Sequence, residues 1–255
     1  MEKWELFKDV TAITTSREGG FSTGGYKSMN LALHVGDDAG AVVKNRNKLF
    51  AMPDFNLTAK NTVFVAQHHS DITEKVTFID AGRGYKAFKD GIVADALYTK
   101  EKGLNLAVYH ADCVPVFVYV PKHSIVGVIH AGEDGSVNNI TGKFITKLLI
   151  EEGIKPEEVY AHLGPSLSFA YRKISEEHAK TLAKRGGIVQ KALKAVIPDY
   201  YIDLPLLNIL ALREQGVPLE NITYSETCTY ENSDEYYSYA KDKVTGRNIS
   251  FIRRN

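Results

Sequence analysis

The stretch LNLAVYHADCVPVFVYV, residues 104–120, contains two apolar segments separated by a few polar residues. The segments Leu104–Tyr109 and Val114–Val120 are apolar at consecutive positions, which is typical of strands that are covered on both faces. His110, Asp112 and Cys113 interrupt what otherwise has the composition of a protein core. By its residue type alone, Cys113 could be a small packed thiol, a nucleophile or a metal ligand.

Apolar segments on either side of this stretch predict the rest of a sheet. Similar short runs, bounded by turn residues, indicate further strands. They lie at residues 62–67, 91–98, 124–129, 159–163, 221–224 and 248–252. The sequence therefore predicts a single α/β domain over residues 1–255, with one or more mixed β-sheets flanked by helices.

Helices are expected between these strands. One is predicted over residues 38–50, with Val42, Val43, Leu49 and Phe50 on its buried side. A second is expected to begin at Ser136 as its N-cap and to stop before residue 153, because apolar residues recur there on one stripe. Two or three more helices are predicted within residues 175–215.

The composition limits the classes of partner and compartment. The chain has 255 residues with 31 basic and 31 acidic side chains, so its formal net charge is zero and neither nucleic acid nor an anionic membrane is indicated. Two cysteines do not make a disulfide framework. No segment resembles a signal peptide or approaches the roughly 20 apolar residues of a membrane span. We therefore expect a soluble cytoplasmic protein with a small-molecule partner, and the sequence carries no signal of oligomeric state.

Three of the predicted strands run into residues that bind metals. The strand at 62–67 precedes His68 and His69, the central stretch supplies Cys113, and the strand at 124–129 precedes His130. Ligands of α/β sheets gather outside the carboxyl ends of strands, so these side chains are expected to meet in one crevice. Their spacing is not that of a zinc finger. A metal centre and a cysteine–histidine pair therefore both remain open at this point.

Segments spread over nearly the whole chain occur together in one known family. They are TSREGGFS, SMNLALHVGDD, QHHS, ADALYT, HADCVPVFV, VIHAG, HLGPSLS, DLPLLNILALREQGV and CTYENSDEYYSYAKDKVTGRNISFI. In their order they resemble the bacterial multicopper polyphenol oxidoreductase (laccase-like) family. Its members are described as zinc-dependent purine nucleoside phosphorylases, and the family includes proteins called peptidoglycan editing factors.

The resemblance implies a metal site. The histidine of Gln-x-His, the cysteine of Ala-Asp-Cys and the histidine of His-Ala-Gly correspond to His69, Cys113 and His130, whereas His68 is not implied as a ligand. Three protein ligands leave one position open on a tetrahedral Zn²⁺, as in catalytic rather than structural sites. An open zinc position suits phosphorolysis of a purine nucleoside and also deamination of adenosine. Copper could occupy the same imidazole and thiolate ligands.

Further roles follow from the same resemblance. The catalytic candidates are Cys113, His130 and Asp112. By its chemistry, Asp112 either orients a metal-ligating histidine or forms a turn through its own side chain. The substrate of the family is a nucleoside such as adenosine, inosine, guanosine or methylthioadenosine, together with phosphate. The candidates for binding it are Arg17, Asn30, Asp95 and Arg247.

The sequence departs from the family pattern beside the metal ligands. After His-Ala-Gly the family usually continues with Trp-Arg-Gly, whereas this chain has HAGEDGS, with Glu133 and Asp134. Two carboxylates there would repel phosphate. The segment is either a solvated loop that has drifted or the mark of a changed substrate. The segment GPSLSFAYRKI lacks the usual cysteine, and YYSYAKD has Ala240 and Lys241 where the family tends to carry arginine.

Alternatives to the zinc phosphorylase remain open. A metal-free hydrolase could use Cys113 as nucleophile and His130 as base, on amide or ester bonds such as those of cell-wall precursors. The altered HAGEDGS segment also fits a non-catalytic protein that keeps the metal. Copper in the site would favour a polyphenol oxidase activity.

Overall fold

In the computed structural model, which describes residues 1–53 and 55–255, the opening stretch crosses between two mixed sheets that pack face to face. Its first strand belongs to a five-stranded sheet and its second to a six-stranded sheet. A third, three-stranded sheet is smaller. The strands are β1 Glu2–Lys3, β2 Val10–Thr14, β3 Thr62–Phe64, β4 Thr73–Lys75, β5 Ala96–Thr99, β6 Asn105–His110, β7 Val114–Val120, β8 Ile125–Ala131, β9 Tyr160–Leu163, β10 Lys173–Ile174, β11 Leu193–Val196, β12 Asp199–Ile202, β13 Ile222–Tyr224 and β14 Asn248–Arg254.

Strand β7 shows why the stretch is apolar at every position. Phe117 and Tyr119 point into the core between the two large sheets. Val116 and Val118 point the other way, into a second core that contains Phe144 of a covering helix. Successive side chains of a strand alternate between faces, so a strand with apolar layers on both sides needs no polar face.

The five-stranded sheet has the order β1-β2-β14-β6-β3, so its central strand is the last in sequence. Strand β14 pairs antiparallel with both β2 and β6, and β3 is parallel to β6. The six-stranded sheet has the order β13-β9-β7-β8-β5-β4, with parallel pairs at its two edges. The pairing of β5 with β8 sets Ala96 opposite Ile129. It therefore brings Asp95, which precedes Ala96, close to His130, which follows Ile129.

Helices cover the outer face of the six-stranded sheet and the edges of the fold. The third and sixth helices share the second apolar core with that sheet. The helices are α1 Ala39–Phe50, α2 Glu133–Val137, α3 Ile140–Glu152, α4 Glu176–Ala183, α5 Gly187–Ala192 and α6 Leu204–Glu214. None of the helices in the described part of the chain is both long and apolar enough to cross a membrane. The predicted α/β class with mixed sheets flanked by helices is confirmed.

Some element boundaries differ from those expected. The strand predicted at 91–98 begins only at Ala96, because Gly91 lies against the backbone of Val65 and the segment before Ala96 bends. Within α1, Val43 is exposed, and its predicted place in the core is taken by the buried polar side chains of Asn45 and Arg46.

The predicted N-cap at Ser136 is wrong. Ser136 lies inside the short helix α2, which begins directly after Gly132. Helix α3 is capped by Asn139, whose backbone is left-handed at a φ of 64° and whose side chain accepts a hydrogen bond from the Gly142 N–H. Asparagine tolerates this conformation better than most residues, and it is a strong N-cap.

Candidate metal centre

The segment after β3 is held by the side chain of Gln67, whose amide forms hydrogen bonds with the backbone of β6 as a further strand residue would. Its Nε2 donates to the Tyr109 carbonyl at 2.7 Å and its Oε1 accepts from the Tyr109 N–H at 2.9 Å. The chain then turns sharply, with His69 at a positive φ of 59°. The turn directs the exposed His69 ring toward the ends of the neighbouring strands.

Asp95 organises this turn from behind. Its buried carboxylate accepts hydrogen bonds from the backbone N–H groups of His68, His69 and Ser70 at 3.1, 3.1 and 2.7 Å. It also accepts from the Ser70 hydroxyl at 2.6 Å. Burial raises the pKa of Asp95, but the hydrogen bonds and the charge of His130 outweigh burial and hold that pKa at about 2. Asp95 is therefore an ionised anchor for the turn.

The ring of His130, near the end of β8, is oriented by the same carboxylate. Its Nδ1 lies 2.8 Å from Asp95 Oδ1, and both side chains are buried. Because Asp95 is ionised, Nδ1 carries the proton and Nε2 is the atom left to bind a metal or accept a proton. This carboxylate–histidine pairing is the usual support of a metal-binding imidazole.

Cys113 joins these histidines from the connection between β6 and β7. Its Sγ lies 3.9 Å from His69 Nε2, and the preceding Asp112 has a positive φ of 87°. Burial raises the pKa of the thiol, but His130 outweighs burial and the pKa falls to about 5. Cys113 and Asp95 outweigh burial and raise the pKa of His130, so that without a metal the pair favours a thiolate beside a protonated imidazole, whose Nε2 proton a metal would displace. The thiolate, which is the form that binds metal, is thus favoured.

The three side chains fit a metal ion. Their ligand atoms all lie within 4.8 Å of one another. Tetrahedral Zn²⁺ with bonds of about 2.0–2.3 Å sets its ligand atoms about 3.5 Å apart, close to the 3.9 Å between Cys113 Sγ and His69 Nε2. Gly132 packs directly against two of these side chains, and its lack of a side chain leaves room for them. A Cβ at this position would lie 2.5 Å from His69 Cδ2 and 3.4 Å from Cys113 Sγ. Imidazole and thiolate suit both zinc and copper.

The site opens into a cavity of about 640 Å³, a size that admits a nucleoside. The cavity is lined by His34, Tyr109, Tyr171 and Arg172, together with the three metal-ligating candidates.

The predicted substrate residues are only partly brought to this cavity. Arg247 lines it. The Arg17 guanidinium is turned away, since it donates to the carbonyls of Lys27 and Ser233 and stacks on Tyr237. The buried Asn30 accepts from the Arg247 N–H at 2.9 Å and so holds the segment that carries that arginine.

The contacts expected of Asp112 and Asp95 are exchanged in the structure. Asp112 lines the cavity, but its carboxylate accepts from the Thr229 hydroxyl at 2.7 Å and the Ala240 N–H at 2.6 Å, and not from a histidine. Asp95, expected to contact substrate, is the residue that contacts His130. The orienting carboxylate therefore precedes β5 and does not belong to the Ala-Asp-Cys segment.

The HAGEDGS segment is ordered by specific contacts. Glu133 and Asp134 form the first turn of α2, and both line the cavity. The Glu133 carboxylate lies 2.6 Å from His178 Nε2 and 3.8 Å from Arg172 Nη1. Glu133 therefore lies in a helix with defined partners and not in a solvated loop.

Sequence reasoning also missed His34, although it lies in the segment NLALHVGDD. Its ring packs against Phe88 and Tyr109, with centroids 4.0 and 5.3 Å apart. Burial and, to a smaller extent, the charges of Arg247 and Arg46 together lower the pKa of His34 to about 4. His34 thus presents a neutral imidazole to the cavity at neutral pH.

Comparison with known proteins places this site in a family. The family described as multi-copper polyphenol oxidoreductase laccase matches residues 11–255. The chain belongs to this laccase-like family. The resemblance predicted from the sequence is thereby confirmed, and the match spans both large sheets and all three candidate ligands of the laccase-like site.

Relatives of the chain within the laccase-like family carry names that refer to nucleosides. Purine nucleoside phosphorylase YlmD of Bacillus subtilis strain 168 is 36% identical over 96% of this chain and 88% of its own length. Purine nucleoside phosphorylase YfiH of Escherichia coli strain K12 is 32% identical over 98% of this chain and 96% of its own.

Solved structures of the laccase-like family have the same fold. The crystal structure of Bacillus licheniformis hypothetical protein YfiH is 30% identical, with a TM-score of 0.93 over 99% of this chain and 96% of that one. The crystal structure of YlmD from Geobacillus stearothermophilus is 32% identical, with a TM-score of 0.91 over 99% and 94% of the two chains.

Proposed function

We propose that this protein is a metal-dependent purine nucleoside phosphorylase with Zn²⁺ as its metal. The observation that carries the proposal is the convergence of His69, Cys113 and His130 on one wall of a nucleoside-sized cavity. The names of the relatives supply the substrate class. The proposed substrates are adenosine, inosine, guanosine or methylthioadenosine, together with phosphate, and the site requires a reduced thiol, which fits the cytoplasm.

The metal and the side chains around it would have separate roles in the reaction. A bound Zn²⁺ supplies a Lewis acid with an open position. Asp95 fixes the proton of His130 on Nδ1, and Cys113 is held as a thiolate by the neighbouring histidine. In phosphorolysis a phosphate oxygen bonds to C1′ of the ribose as the bond to the purine nitrogen breaks, and the base leaves with the electron pair. The neutral ring of His34 is the proposed contact for the departing purine.

Metal analysis and product chromatography test this proposal. Protein purified without added metal should contain about one zinc per chain, as three ligands of one site require. With phosphate, inosine should yield hypoxanthine and a ribose phosphate. Adenosine without phosphate should yield inosine if the same site also deaminates, which we propose as a secondary activity.

Adjacent histidines provide a matched control. His69→Ala should abolish phosphorolysis and lower the metal content, whereas His68→Ala should leave both near wild type, because His68 lies outside the ligand cluster. Metal-free protein with full activity, or equal activity in both variants, would refute the zinc phosphorylase.

A second candidate function rests on the same residues without a metal. The His130 ring binds Asp95 through Nδ1 and lies beside the Cys113 thiol, which is the arrangement of a cysteine nucleophile, its base and an orienting carboxylate. Such a hydrolase would act on amide or ester bonds. It would keep its activity in His69→Ala and lose it in Cys113→Ala, whereas metal dependence predicts that both variants lose activity.

A further inference from the structure

Arg172 lies in the cavity wall close to the metal-ligating candidates. It follows the 3₁₀ turn Phe169–Tyr171, and only 15% of its side chain is exposed. Its Nη2 donates to the carbonyl of Asp112, the residue before Cys113, at 3.3 Å. The guanidinium is therefore held beside the candidate metal centre by the same connection that carries the thiolate.

The hydrogen bonding of this guanidinium is incomplete. An arginine has five N–H groups, and Nε of Arg172 is buried without a partner among residues 1–53 and 55–255. Nη1 lies 3.8 Å from the Glu133 carboxylate, which is too long for a hydrogen bond. Buried donors are nearly always paired, so the unpaired N–H groups here indicate a partner that the folded chain itself does not supply.

The nearest carboxylate is engaged elsewhere. Glu133 Oε1 lies 2.6 Å from His178 Nε2, so the strong contact of Glu133 is with the histidine and not with Arg172. Glu133 thus attracts the Arg172 guanidinium by its charge without accepting a hydrogen bond from it. A second carboxylate in the wall, Asp112, already accepts from Thr229 and Ala240 through both of its oxygens.

The other cations that line the cavity have contacts of a different kind. Lys243 Nζ lies over the Tyr239 ring, 4.6 Å from its centroid. Lys173 Nζ pairs with Asp199 at 2.5 Å. Arg247 donates from Nη1 to the carbonyls of Thr245 and Gly246 at 3.0 and 2.9 Å. Among the cavity cations of the described residues, Arg172 combines a buried Nε that lacks a partner with a hydrogen bond to the residue before Cys113.

We propose that Arg172 binds the inorganic phosphate consumed in the proposed phosphorolysis. This inference rests on the proposed function and adds the residue that holds its second substrate. A planar guanidinium donates two parallel hydrogen bonds to a phosphate, which neutral donors or a lysine cannot reproduce. Glu133 is then a counter-charge that competes with phosphate, and it sets how tightly the anion binds.

Two substitutions of opposite sign test the proposal. Arg172→Gln should raise the KM for phosphate about 10-fold or more, because charge-assisted hydrogen bonds are lost, with the KM for inosine and the zinc content near wild type. Glu133→Gln should lower the KM for phosphate roughly 2–5-fold, since a competing charge is removed. If Arg172 had a purely structural role, the two substitutions would not shift the KM for phosphate in opposite directions.

Arg83 offers a matched control. Its Nη1 also lies 3.8 Å from a carboxylate, that of Asp80, and its Nη2 also donates to a backbone carbonyl, that of Gly91. Arg83 does not line the cavity. Arg83→Gln should therefore leave the KM for phosphate unchanged.

A binding measurement separates this inference from the proposed function. Inorganic phosphate should raise the melting temperature of the zinc-loaded wild type and not that of Arg172→Gln. If the wild type binds phosphate through Arg172 but cleaves no nucleoside, the proposed function fails and the anion site stands. A KM for phosphate, or a phosphate-dependent melting shift, that is equal in Arg172→Gln and wild type overturns the inference, as does a wild type that binds no phosphate.

Folding of the variants is checked by circular dichroism. If Arg172→Gln is misfolded, Arg172→Lys and Glu133→Gln decide the question. Weaker phosphate binding in the lysine variant together with tighter binding in Glu133→Gln supports the anion site. Unchanged binding in both overturns it.

Discussion

At the scale of single residues, the carboxylates of Asp95 and Asp112 lie near the same cysteine and histidines but contact different groups. Asp95 accepts from His130 and from the backbone of the turn that carries His69. Asp112 accepts from the Thr229 hydroxyl and the backbone at Ala240. Of the two carboxylates, only that of Asp95 contacts candidate metal ligands.

The two aspartates should therefore differ in their effect on metal affinity. Asp95→Asn removes the charge that fixes the His130 proton and weakens the turn, so zinc affinity should fall by about 10–100-fold. Asp112→Asn should change it by less than about threefold, because Asp112 contacts no ligand. Competition with a chromophoric chelator measures both affinities. Equal losses in the two variants would contradict the assignment.

The ligands could be predicted from the sequence, but the supporting carboxylate could not. His69, Cys113 and His130 each follow or end an apolar run, so their strand ends predicted a meeting point. Asp95 reaches His130 because β5 pairs with β8. A pairing between strands about 30 residues apart in the chain cannot be read from the residue pattern of either strand. Arg172 was missed for the same reason.

At the scale of elements, the start of α3 depends on one residue with unusual backbone geometry. Asn139 caps the helix from a left-handed conformation directly after the short helix α2. The sequence offered Ser136, a strong N-cap by residue type, and nothing in the pattern showed that a five-residue helix would precede α3. Apart from the runs at 62–67 and 91–98, the apolar runs predicted strand boundaries to within two residues, whereas the junction of two helices was set by a cap.

Substitutions at Asn139 should distinguish the stability contributed by its side-chain cap from that contributed by its tolerance of a positive φ. Asn139→Ala loses the side-chain acceptor and strains a positive φ, so the free energy of unfolding should fall by about 1–2 kcal/mol. Asn139→Gly keeps the conformation and should cost only a few tenths of a kcal/mol. Urea denaturation provides the comparison, with the exposed neighbour Asn138→Ala as control. A glycine variant less stable than the alanine variant would disprove the role of the positive φ.

The opposite end of α3 is tied to the six-stranded sheet by Glu152. Its nearly buried carboxylate pairs with Lys75 of β4 at 2.7 Å and with Lys100, which follows β5, at 2.5 Å. Burial raises the pKa of Glu152, but the two lysines and Tyr98 outweigh burial and lower the pKa to about 2. The ion pairs thus join a helix end to a sheet edge.

This link should make part of the stability depend on pH. The folded-state pKa of Glu152 lies below the unfolded value of 4.5, so its contribution is present above about pH 4.5 and is lost as pH falls toward 2. At pH 7, Glu152→Gln should lower the free energy of unfolding by about 1–3 kcal/mol. The difference from wild type should shrink below pH 4.5. Glu176→Gln, which breaks an exposed pair, should cost less than about 1 kcal/mol, and a Glu152 effect that does not vary with pH would contradict the pKa assignment.

At the scale of the whole molecule, the candidate metal centre joins the two large sheets. His69 follows β3 of the five-stranded sheet, His130 lies in β8 of the six-stranded sheet, and Cys113 lies on the connection between β6 and β7. A metal bound by all three therefore favours the folded chain, in which the sheets are packed, over the unfolded chain.

Zinc should accordingly raise the melting temperature of protein stripped with a chelator. At a free zinc concentration of 100 times the dissociation constant, the gain is about 2.7 kcal/mol, or roughly 5–10 °C for a chain of this size. Differential scanning fluorimetry measures the shift. His68→Ala should keep it and His69→Ala should lose most of it; an undiminished shift in His69→Ala would exclude this site as the stabilising one.

The central place of β14 in the five-stranded sheet bears on how the protein is made in the cell. Strands β2 and β6 flank residues 248–254, which leave the ribosome long after both of them. While residues 111–247 are made, the nascent chain therefore carries two unpaired apolar strand edges, a state that chaperones bind and that aggregates when they are scarce. The six-stranded sheet can assemble before β14 is translated, whereas the five-stranded sheet is complete only after β14 enters between β2 and β6.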